Sequence, residues 1–434
     1  MSPLHSRYDV VVIGSGPGGM AAAIAARQNG AAEVLVIERD VELGGILLQC
    51  IHNGFGLELL KQDLPGPAYA NHYIRQALAL GVQTLLDAMV LEIRPDLSLR
   101  VTSRGGLIEL QAGAIVLAMG CRERTRPQIA LPGTRPAGVY TAGTAQRWVN
   151  VEGYMPGERF VILGSGDIGM IMARRLTFEG AIVERVLEIQ PYLSGLMRNY
   201  VQCLLDYDIP LQLQRTVKRI IGDPRLTAVE TVAVDERWQP VPGSEEVIPC
   251  DTLLLSVGLV PENELSRQAG VKLDRLTGGP VVDERFQTSV PGIFAAGNVV
   301  HVYDLVDWVT EAGFTAGKNA ARCALGTLPP VEKSIPLQAG ENVRYAVPHT
   351  LNPLALTEEE VRLQLRVRQP VEAPVWVEVL AEAGDGTEPL RILRKGEMYA
   401  RPGEMITVTL TSHHAAALAR ANALRVNVRP RRGG

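Results

Sequence analysis

The sequence is poor in cysteine, in aromatic residues and in net charge. Its five cysteines (Cys50, Cys121, Cys203, Cys250 and Cys323) are scattered over 434 residues, and no C-x-x-C or C-x4-C pair occurs. This spacing excludes a dithiol relay, a metal knuckle and an iron–sulphur motif, and it favours reduced thiols. The formal net charge of −4 argues against nucleic acid or an anionic membrane as a partner.

No segment has the pattern of a signal peptide or a membrane span. The first residues, MSPLHSRYDV, lack a charged region followed by an apolar core. The apolar stretch 10–26 is interrupted by glycine and proline, which a spanning helix of this length would not contain so densely. We therefore expect a cytoplasmic protein, and its length predicts two or three domains.

A glycine-rich segment is present twice, 150 residues apart. VVIGSGPGGM covers 11–20 and VILGSGDIGM covers 161–170. Each segment includes the end of a β-branched run and precedes a helix-forming stretch, after which a second strand ends in an acid, Glu38 or Glu188. Strand, loop, helix and strand within about thirty residues are typical of the βαβ unit.

The spacing of the glycines indicates what these loops bind. In a dinucleotide-binding unit the first glycine makes a tight turn, the second lets the backbone approach a pyrophosphate, and the third lets the helix pack on the strand. The acid after the second strand is placed to bind ribose hydroxyls. The glycines at these positions are Gly14, Gly16 and Gly19 in the first loop and Gly164, Gly166 and Gly169 in the second. Two dinucleotide sites are predicted; the alternative is a Rossmann-like layer with loops that bind nothing.

These features resemble the two-dinucleotide-binding flavoproteins related to pyridine nucleotide-disulfide oxidoreductases, over residues 8–325. In that family the N-terminal unit holds FAD and an inserted second unit holds NAD(P)H. The resemblance implies an α/β fold with two tandem Rossmann-like, three-layer dinucleotide-binding domains, the second inserted in the first. The alternating segments RLQLRVRQ and EMITVTLTS add a small β-rich C-terminal domain. The expected boundaries are 1–125 with 275–332 for FAD, 145–274 for NAD(P)H, and 335–434 for the β-rich domain.

The resemblance also assigns residues to the cofactors. AIVLAMG ends at Gly120 and TSVPGIFAAGN ends at Asn298, where the family normally has aspartate. The positions implied for FAD are Gly14, Gly16, Pro17, Gly19, Glu38, Gly45, Gly120, Gly297 and Asn298; those implied for NAD are Gly164, Gly166, Ile168, Gly169, Glu188 and Gly258. A carboxylate at position 188 repels the extra phosphate of NADP, so NAD(H) is favoured over NADP(H).

Two further expectations concern acidic side chains at helix starts. Asp167 begins the second glycine-loop helix, where a carboxylate suits the helix dipole but is an unfavourable neighbour for a pyrophosphate. Asp304 and Asp307 are spaced as an N-cap and N3 pair for the long helix that follows Asn298.

The segment LGGILLQCIHNGF departs from the disulfide reductases, which carry two cysteines just after the L-G-G. Cys50 stands alone here, so the chain is not expected to be a dithiol disulfide reductase. Cys50 and His52 are the flavin-proximal candidates for a catalytic role; the alternatives are packing for the cysteine and a self-bonded loop for the histidine. No metal site is predicted.

The segments LLQCIHNGFG, SGDIGMIMARR, CDTLLLSVGLVPENELS and GNVVHVYDLVDWV are similar to bacterial FAD/NAD-linked dehydrogenases that accompany a glycerol-3-phosphate-dehydrogenase-like flavoprotein. This similarity implies hydride transfer between NAD(H) and FAD, with electrons exchanged with a partner redox protein or a small acceptor. One alternative is the FAD subunit of a heteromeric amine, imino-acid, opine or glycerol-3-phosphate dehydrogenase. Another is a flavin-stabilised sensor or scaffold. Both homo- and hetero-oligomers remain open.

Overall fold

The structure is a computed structural model that describes residues 4–383 and 387–431. The chain divides into two compact units, Met1–Cys121 with Pro261–Gly434 and Arg122–Val260. The second unit is thus inserted in the first. Within the described ranges, no helix combines the length and apolar character needed to cross a membrane.

The elements follow one another in an alternating α/β order, with a β-rich end. The strands are β1 (Arg7–Ile13), β2 (Val34–Ile37), β3 (Gln83–Leu85), β4 (Ala88–Ile93), β5 (Ser98–Ser103), β6 (Gly106–Leu117), β7 (Cys121–Glu123), β8 (Val139–Thr141), β9 (Arg159–Leu163), β10 (Ile182–Leu187), β11 (Leu211–Gln212), β12 (Arg215–Gly222), β13 (Leu226–Ala233), β14 (Glu246–Pro249), β15 (Thr252–Leu255), β16 (Leu259–Pro261), β17 (Ile293–Ala295), β18 (Ile335–Ala339), β19 (Val343–Val347), β20 (Thr350–Leu351), β21 (Val361–Val367), β22 (Val375–Glu382), β23 (Leu390–Glu397), β24 (Ile406–Leu410) and β25 (Ala423–Pro430). The helices are α1 (Pro17–Gln28), α2 (Gly66–Ala79), α3 (Ala142–Arg147), α4 (Asp167–Phe178), α5 (Met197–Cys203), α6 (Glu264–Gln268), α7 (Val306–Ala324) and α8 (Ala415–Arg420).

The first unit is built on a sheet in the order β3-β2-β1-β6-β5-β4, with β17 also paired to β6. Strands β1, β2, β3, β6 and β17 run parallel, whereas β4 and β5 form an antiparallel meander on β6. The central strand β1 is apolar on both faces because helices and the meander cover both sides. The carboxyl end of β1 therefore delivers the first glycine loop to the edge of a rigid sheet.

Helices α1 and α7 pack backbone to backbone. A Cβ atom on Gly313 would collide with the carbonyl oxygen of Gly18, and one on Gly317 would collide with that of Ala22. Only glycine lets the two helix axes approach this closely. This contact fixes the direction of α1, and with it the N-terminus that faces the first glycine loop.

The second unit repeats the architecture of the first. Its parallel sheet has the order β11-β10-β9-β15-β8, and β12, β13 and β14 form an antiparallel sheet beside it. In both units the first strand of the repeat is flanked by the second strand and by a later strand. The predicted class of two Rossmann-like domains, one inserted in the other, is confirmed; the residue boundaries given above stay a prediction.

Residues 335–383 and 387–430 form two sheets around a core of their own. One sheet has the order β20-β18-β25-β22-β23 and the other β19-β21-β24. Backbone and side-chain hydrogen bonds attach this region to the segment before β17: His349 N donates to Val282 O at 2.8 Å, and Asn352 N donates to Glu284 Oε2 at 3.0 Å. The terminal region is therefore β-rich, as the sequence predicts, and its division into a separate domain stays a prediction.

The expected capping of α7 by aspartates is wrong. The N-cap residue is Leu305, and it makes no side-chain cap. Asp304 instead forms a buried ion pair with Arg366 of β21 and accepts from Met405 N at 2.5 Å. Asp307 accepts from the backbone of Leu59 at 3.3 Å. Both carboxylates bind partners that are distant in sequence. A buried carboxylate without a charged or N–H partner costs more free energy than a helix end without a side-chain cap.

We expect Asp283→Asn to change the pH dependence of stability. Burial and the neighbouring Glu284 raise the pKa of Asp283 to about 7. The folded state therefore keeps a proton that the unfolded chain releases near pH 4, and this stabilisation is lost as the pH rises through 7. Asparagine keeps the oxygen that accepts from the backbone of Arg285 and Gln287. The variant should exceed the wild type by about 4 kcal/mol at pH 8 and equal it near pH 4 in urea unfolding. A difference independent of pH would contradict this.

Candidate dinucleotide-binding sites

The first glycine loop has the geometry that its spacing predicts. Gly14 has φ +101°, and a Cβ there would lie 2.5 Å from the carbonyl oxygen of Ala118 at the end of β6. A Cβ on Gly19 would collide with the carbonyl oxygen of Gly14, so the helix packs directly on the turn. A Cβ on Gly16 would meet no atom of the described residues within 4 Å. The middle glycine thus borders open space at the N-terminus of α1.

Glu38 comes directly after β2 and is hydrogen-bonded to the first glycine loop. Its Oε2 accepts from Ser15 N at 2.8 Å and from Ser15 Oγ at 2.6 Å, and its Oε1 accepts from Asp40 N at 2.9 Å. Ser15 Oγ in turn accepts from Gly44 N at 3.1 Å. The carboxylate is buried, and its Oε1 retains acceptor capacity, since a carboxylate offers about four lone-pair sites and these contacts use three.

The second glycine loop repeats this geometry. Gly164 also has φ +101°, and a Cβ there would collide with the carbonyl oxygen of Ser256 at the end of β15. A Cβ on Gly169 would lie 2.7 Å from the Cβ of Ser256, and one on Gly166 would lie 3.2 Å from its Oγ. Space beside the middle glycine is therefore narrower than in the first loop.

Glu188 repeats the hydrogen bonds of Glu38, each shifted by 150 positions, and accepts one more from Ser194 Oγ at 2.8 Å. Ser165 N and Oγ donate to its Oε2 at 2.9 and 2.6 Å, and Gln190 N donates to its Oε1 at 2.9 Å. Ser194 N donates to Ser165 Oγ at 3.0 Å, as Gly44 N does to Ser15. Both serines were missed in the sequence analysis. Their signal was available: each is the middle residue of G-S-G, identical in the two repeats.

The second site has polar contacts that are absent from the first, because the first has apolar residues at the equivalent positions. Asp167 Oδ1 accepts from Leu196 N at 2.9 Å and from Asn199 Nδ2 at 2.6 Å, whereas position 17 is proline. Gly169 N donates to Ser256 Oγ at 3.1 Å, where the first unit has Ala118. The carboxylate that was expected to oppose a pyrophosphate is therefore engaged with the segment that follows Glu188.

The remaining residues predicted for FAD lie around the first loop and the end of β6. A Cβ on Gly45 would lie 3.1 Å from the Cα of Gly16, so Gly45 borders the loop. Gly120 and Gly297 have φ +72° and +76°. Asn298 lies beside the end of the sheet: its Oδ1 accepts from Tyr303 N at 3.1 Å, and its Nδ2 lies 3.7 Å from Cys121 Sγ.

Pro17 is the first residue of α1, Ile168 is the second residue of α4, and Gly258 follows β15. Proline at the first helical position removes an N–H that a helix start leaves without an intrahelical partner. Gly258 O accepts from Arg124 N at 3.0 Å. These three residues belong to the framework of the loops, and their contact with a nucleotide stays a prediction.

The residues present fit two dinucleotides. Each loop combines a strand end, a middle glycine without an obstructing side chain, a helix N-terminus and a buried acid. Exposed N–H groups and the helix dipole favour a pyrophosphate, and the acid favours ribose hydroxyls. The first loop is open at Gly16, which suits a resident cofactor, and the second is partly occupied by its own side chains.

Cys50 ends a 3-10 turn, Gly45–Gln49, and packs against the start of α2. Its Sγ donates to Ile46 O at 3.3 Å, and Gly66 N donates to Cys50 O at 2.8 Å. Burial raises the pKa of the Cys50 thiol to about 12. His52 Nδ1 lies 2.9 Å from Asn53 O, and its ring lies 5.1 Å from that of Phe55. A thiol with this pKa is a weak nucleophile at neutral pH because the thiolate is the reactive form.

We expect Cys50 to resist alkylation. With a pKa of about 12, about one thiol in 10⁴ is ionised at pH 8. Its modification by iodoacetamide should be about a hundredfold slower than that of glutathione. Peptide mass spectrometry of timed samples gives the rate for each cysteine separately, and Cys50→Ser supplies the blank. Alkylation of Cys50 as fast as that of glutathione would contradict the packing interpretation.

Other features of the described residues lie apart from the glycine loops. A cavity of about 660 Å³ lies between α7, the segment 284–286 and the region 348–364, and none of the predicted site residues line it. No group of three or more His, Cys, Asp or Glu side chains suited to a metal ion occurs within 4–383 and 387–431.

The sequence matches known proteins over most of its length. The family model described as pyridine nucleotide-disulphide oxidoreductase matches residues 8–316. One of the opine oxidase subunits of Agrobacterium tumefaciens is 27% identical over 346 residues, which cover 75% of this chain and 67% of that protein. The chain thus spans about two thirds of that relative. An NAD(P)H sulfur oxidoreductase (CoA-dependent) of Pyrococcus abyssi is 28% identical over 341 residues, covering 74% and 71%.

Solved structures share the fold. Thioredoxin reductase of T. acidophilum superposes with a TM-score of 0.62 at 22% identity, covering 74% of this chain and all of that one. An NAD-dependent persulfide reductase from A. fulgidus has a TM-score of 0.55 at 18% identity, covering 88% and 69%. The family match spans both glycine loops and the segment that returns to the first sheet. The chain therefore belongs to the pyridine nucleotide-disulphide oxidoreductase family and is an FAD-dependent NAD(P)H oxidoreductase.

Proposed function

We propose that the protein oxidises NADH with FAD bound at the first loop and passes the electrons to a partner redox protein or a small acceptor. The observation that carries this proposal is the repeated Ser–Glu arrangement, in which Glu38 and Glu188 are held alike behind two glycine loops. Two loops of one design, differing in how open they are, suit a resident cofactor and an exchanging nucleotide. The flavin, when bound, supplies the hydride and electron chemistry.

At the first loop, the residues bind and orient FAD. Gly16 leaves room for the pyrophosphate at the N-terminus of α1, where the helix dipole favours negative charge. Glu38 accepts from the adenosine ribose with the acceptor capacity that Ser15 and Asp40 leave. Asn298 offers an amide, in place of the usual aspartate, to the ribityl hydroxyls. An amide hydrogen-bonds hydroxyls without adding a charge beside the flavin.

At the second loop, the residues favour NADH over NADPH. Glu188 is a buried carboxylate where the 2′-phosphate of NADP would lie. Three arginines that precede Glu188 are bound elsewhere: Arg185 pairs with Glu246, Arg175 with Glu179, and Arg174 NH1 donates to Gln202 O at 3.4 Å. The proposal therefore includes a preference for NADH, with Glu188 as the residue that sets it.

The proposal excludes a dithiol mechanism. Cys50 stands where the disulfide reductases carry a pair, and its thiol is held protonated by burial. Electrons therefore leave the flavin for an acceptor outside this chain. An association with a glycerol-3-phosphate-dehydrogenase-like flavoprotein, which the sequence motifs suggest, belongs to this proposal as the identity of the partner.

A second candidate function follows from the relatives. The matching opine oxidase subunits of Agrobacterium tumefaciens and Rhizobium meliloti are 27% and 28% identical to this chain. The chain would then be the FAD subunit of a heteromeric amine, imino-acid or opine dehydrogenase, and the donor would bind a partner protein. The contacts retained around Glu188 favour the first candidate, since a chain that binds no nucleotide there has no need of them.

The deciding experiment is an anaerobic titration of the FAD-loaded protein with NADH and, separately, NADPH, followed by flavin absorbance. Stoichiometric bleaching by NADH, with NADPH at least about tenfold less effective, is the expected result. Gly166→Ala is the matched control, because its added Cβ would occupy the space of a pyrophosphate. The protein atom closest to that Cβ is Ser256 Oγ at 3.2 Å, and this hydroxyl can rotate away, so the fold should tolerate the change. It should keep FAD and lose the response. A flavin that stays oxidised with both nucleotides but is bleached by opines or imino acids would establish the second candidate instead.

A further inference from the structure

Segment 194–199, just after Glu188, lies directly against the second glycine loop. Ser194 Oγ donates to Glu188 Oε2 at 2.8 Å, and Ser194 N donates to Ser165 Oγ at 3.0 Å. A Cβ on Gly195 would lie 2.9 Å from the carbonyl oxygen of Ser165 and 2.8 Å from Asp167 Oδ1. The segment therefore touches the loop, the ribose acid and the first residue of α4 at once.

Asp167 is the residue that holds the far end of this segment. Its Oδ1 accepts from Leu196 N at 2.9 Å and from Asn199 Nδ2 at 2.6 Å, so it ties the start of α5 to the start of α4. The first unit shares the Ser–Glu contacts at an offset of 150 residues but has Pro17, which has no side-chain acceptor, in place of Asp167. The hydrogen bonds of Asp167 are therefore additional to the Ser–Glu contacts, which already position the acid in both units.

We propose that Asp167 is a positioning residue for the nicotinamide nucleotide: it fixes segment 194–199 so that the second loop and Glu188 are preformed for an exchanging dinucleotide. This inference rests on the proposed function of the second loop. Asp167 has two effects of opposite sign. Its charge near the helix N-terminus disfavours a pyrophosphate, whereas its hydrogen bonds order the segment before the nucleotide arrives. The structure indicates that ordering dominates, because two N–H donors and the helix dipole already compensate the charge.

The two effects are separated by substitution. Asp167→Asn keeps an acceptor oxygen and removes the charge; Asp167→Ala removes both; Asn199→Ala removes one donor and keeps the charge. The dissociation constant of NAD⁺ is measured by calorimetry on the FAD-loaded, oxidised full-length protein, so that no turnover contributes. Asp206→Ala is the matched control, an exposed aspartate between α5 and β11 with its side chain outside these contacts.

We expect Asp167→Ala to weaken NAD⁺ binding about tenfold and Asn199→Ala to weaken it about fivefold. The double variant should bind about as weakly as Asp167→Ala alone, because both changes remove the same tie. Asp167→Asn should bind within about threefold of the wild type, and Asp206→Ala should be unchanged. Deuterium exchange of the peptide covering 194–200, without nucleotide, should rise in Asp167→Ala and not in Asp206→Ala.

Equal or tighter NAD⁺ binding by Asp167→Ala would overturn the inference while leaving the proposed function intact, since the wild type would still bind. Purely additive effects of the two alanine variants would overturn it as well. If the wild type binds neither NAD⁺ nor NADP⁺, the proposed function fails together with the inference. The exchange measurement then still distinguishes a segment tied by Asp167 from one that is held by other contacts.

Discussion

Alanine at position 16 will leave the apoprotein folded and weaken FAD binding by about a thousandfold. The added Cβ meets no atom of the described chain within 4 Å, and the backbone there has φ −64° and ψ −178°, which alanine adopts readily. The same open space is where a pyrophosphate approaches the N-terminus of α1, so the methyl group displaces phosphate and not protein. Flavin content after purification and a fluorescence titration of the apoprotein with FAD measure the loss.

Gly19→Ala is the contrasting variant three residues further along the loop. Its Cβ would collide with the carbonyl oxygen of Gly14, which is backbone and has nowhere to move. We expect the apoprotein itself to lose about 3 kcal/mol or more in urea unfolding, whereas Gly16→Ala stays within about 1 kcal/mol of the wild type. If Gly16→Ala retains FAD as the wild type does, the first loop is not the pyrophosphate site.

Arg366→Ala will destabilise the first unit by about 3–5 kcal/mol. Arg366 forms a buried ion pair with Asp304 and donates to Tyr345 Oη, Pro402 O and Val302 O, each at 3.2 Å. Its removal leaves a buried carboxylate without its counter-ion. The effect is expected in the free energy of unfolding and in the temperature at which FAD is released, because Asp304 immediately precedes Leu305, the N-cap residue of α7.

Two controls accompany this variant. Arg267→Ala removes an exposed arginine that lies 3.9 Å from Glu264, and it should cost less than about 0.5 kcal/mol. The double variant Asp304→Asn with Arg366→Met removes both charges and should recover much of the loss, because the penalty comes from the unpaired charge. A cost for Arg366→Ala no larger than that for Arg267→Ala would show that the ion pair does not hold the β-rich region to the sheet.

The sequence predicted best where local pattern and chemistry agree. Two apolar runs followed by G-S-G, a helix and an acid at equal spacing require the same βαβ unit twice. The structure contains both units, with the same Ser–Glu hydrogen bonds at Glu38 and Glu188. The capping of α7 failed for the opposite reason. Asp304 has a suitable position in sequence, but a buried arginine 62 residues away binds its carboxylate more strongly than a helix end does.

By itself, the sequence determined the fold class, the two glycine loops and the absence of a paired cysteine after L-G-G, because each is a matter of residue type at short spacing. Only the tertiary structure decided how Asp167 is used, how Cys50 is protonated and how residues 335–430 are attached. Those outcomes depend on which distant N–H, carbonyl or charged group lies against a buried side chain. A polar group that loses its partner costs much more free energy when it is buried than when it is exposed. The partners are distant in sequence, so a local sequence pattern does not predict them.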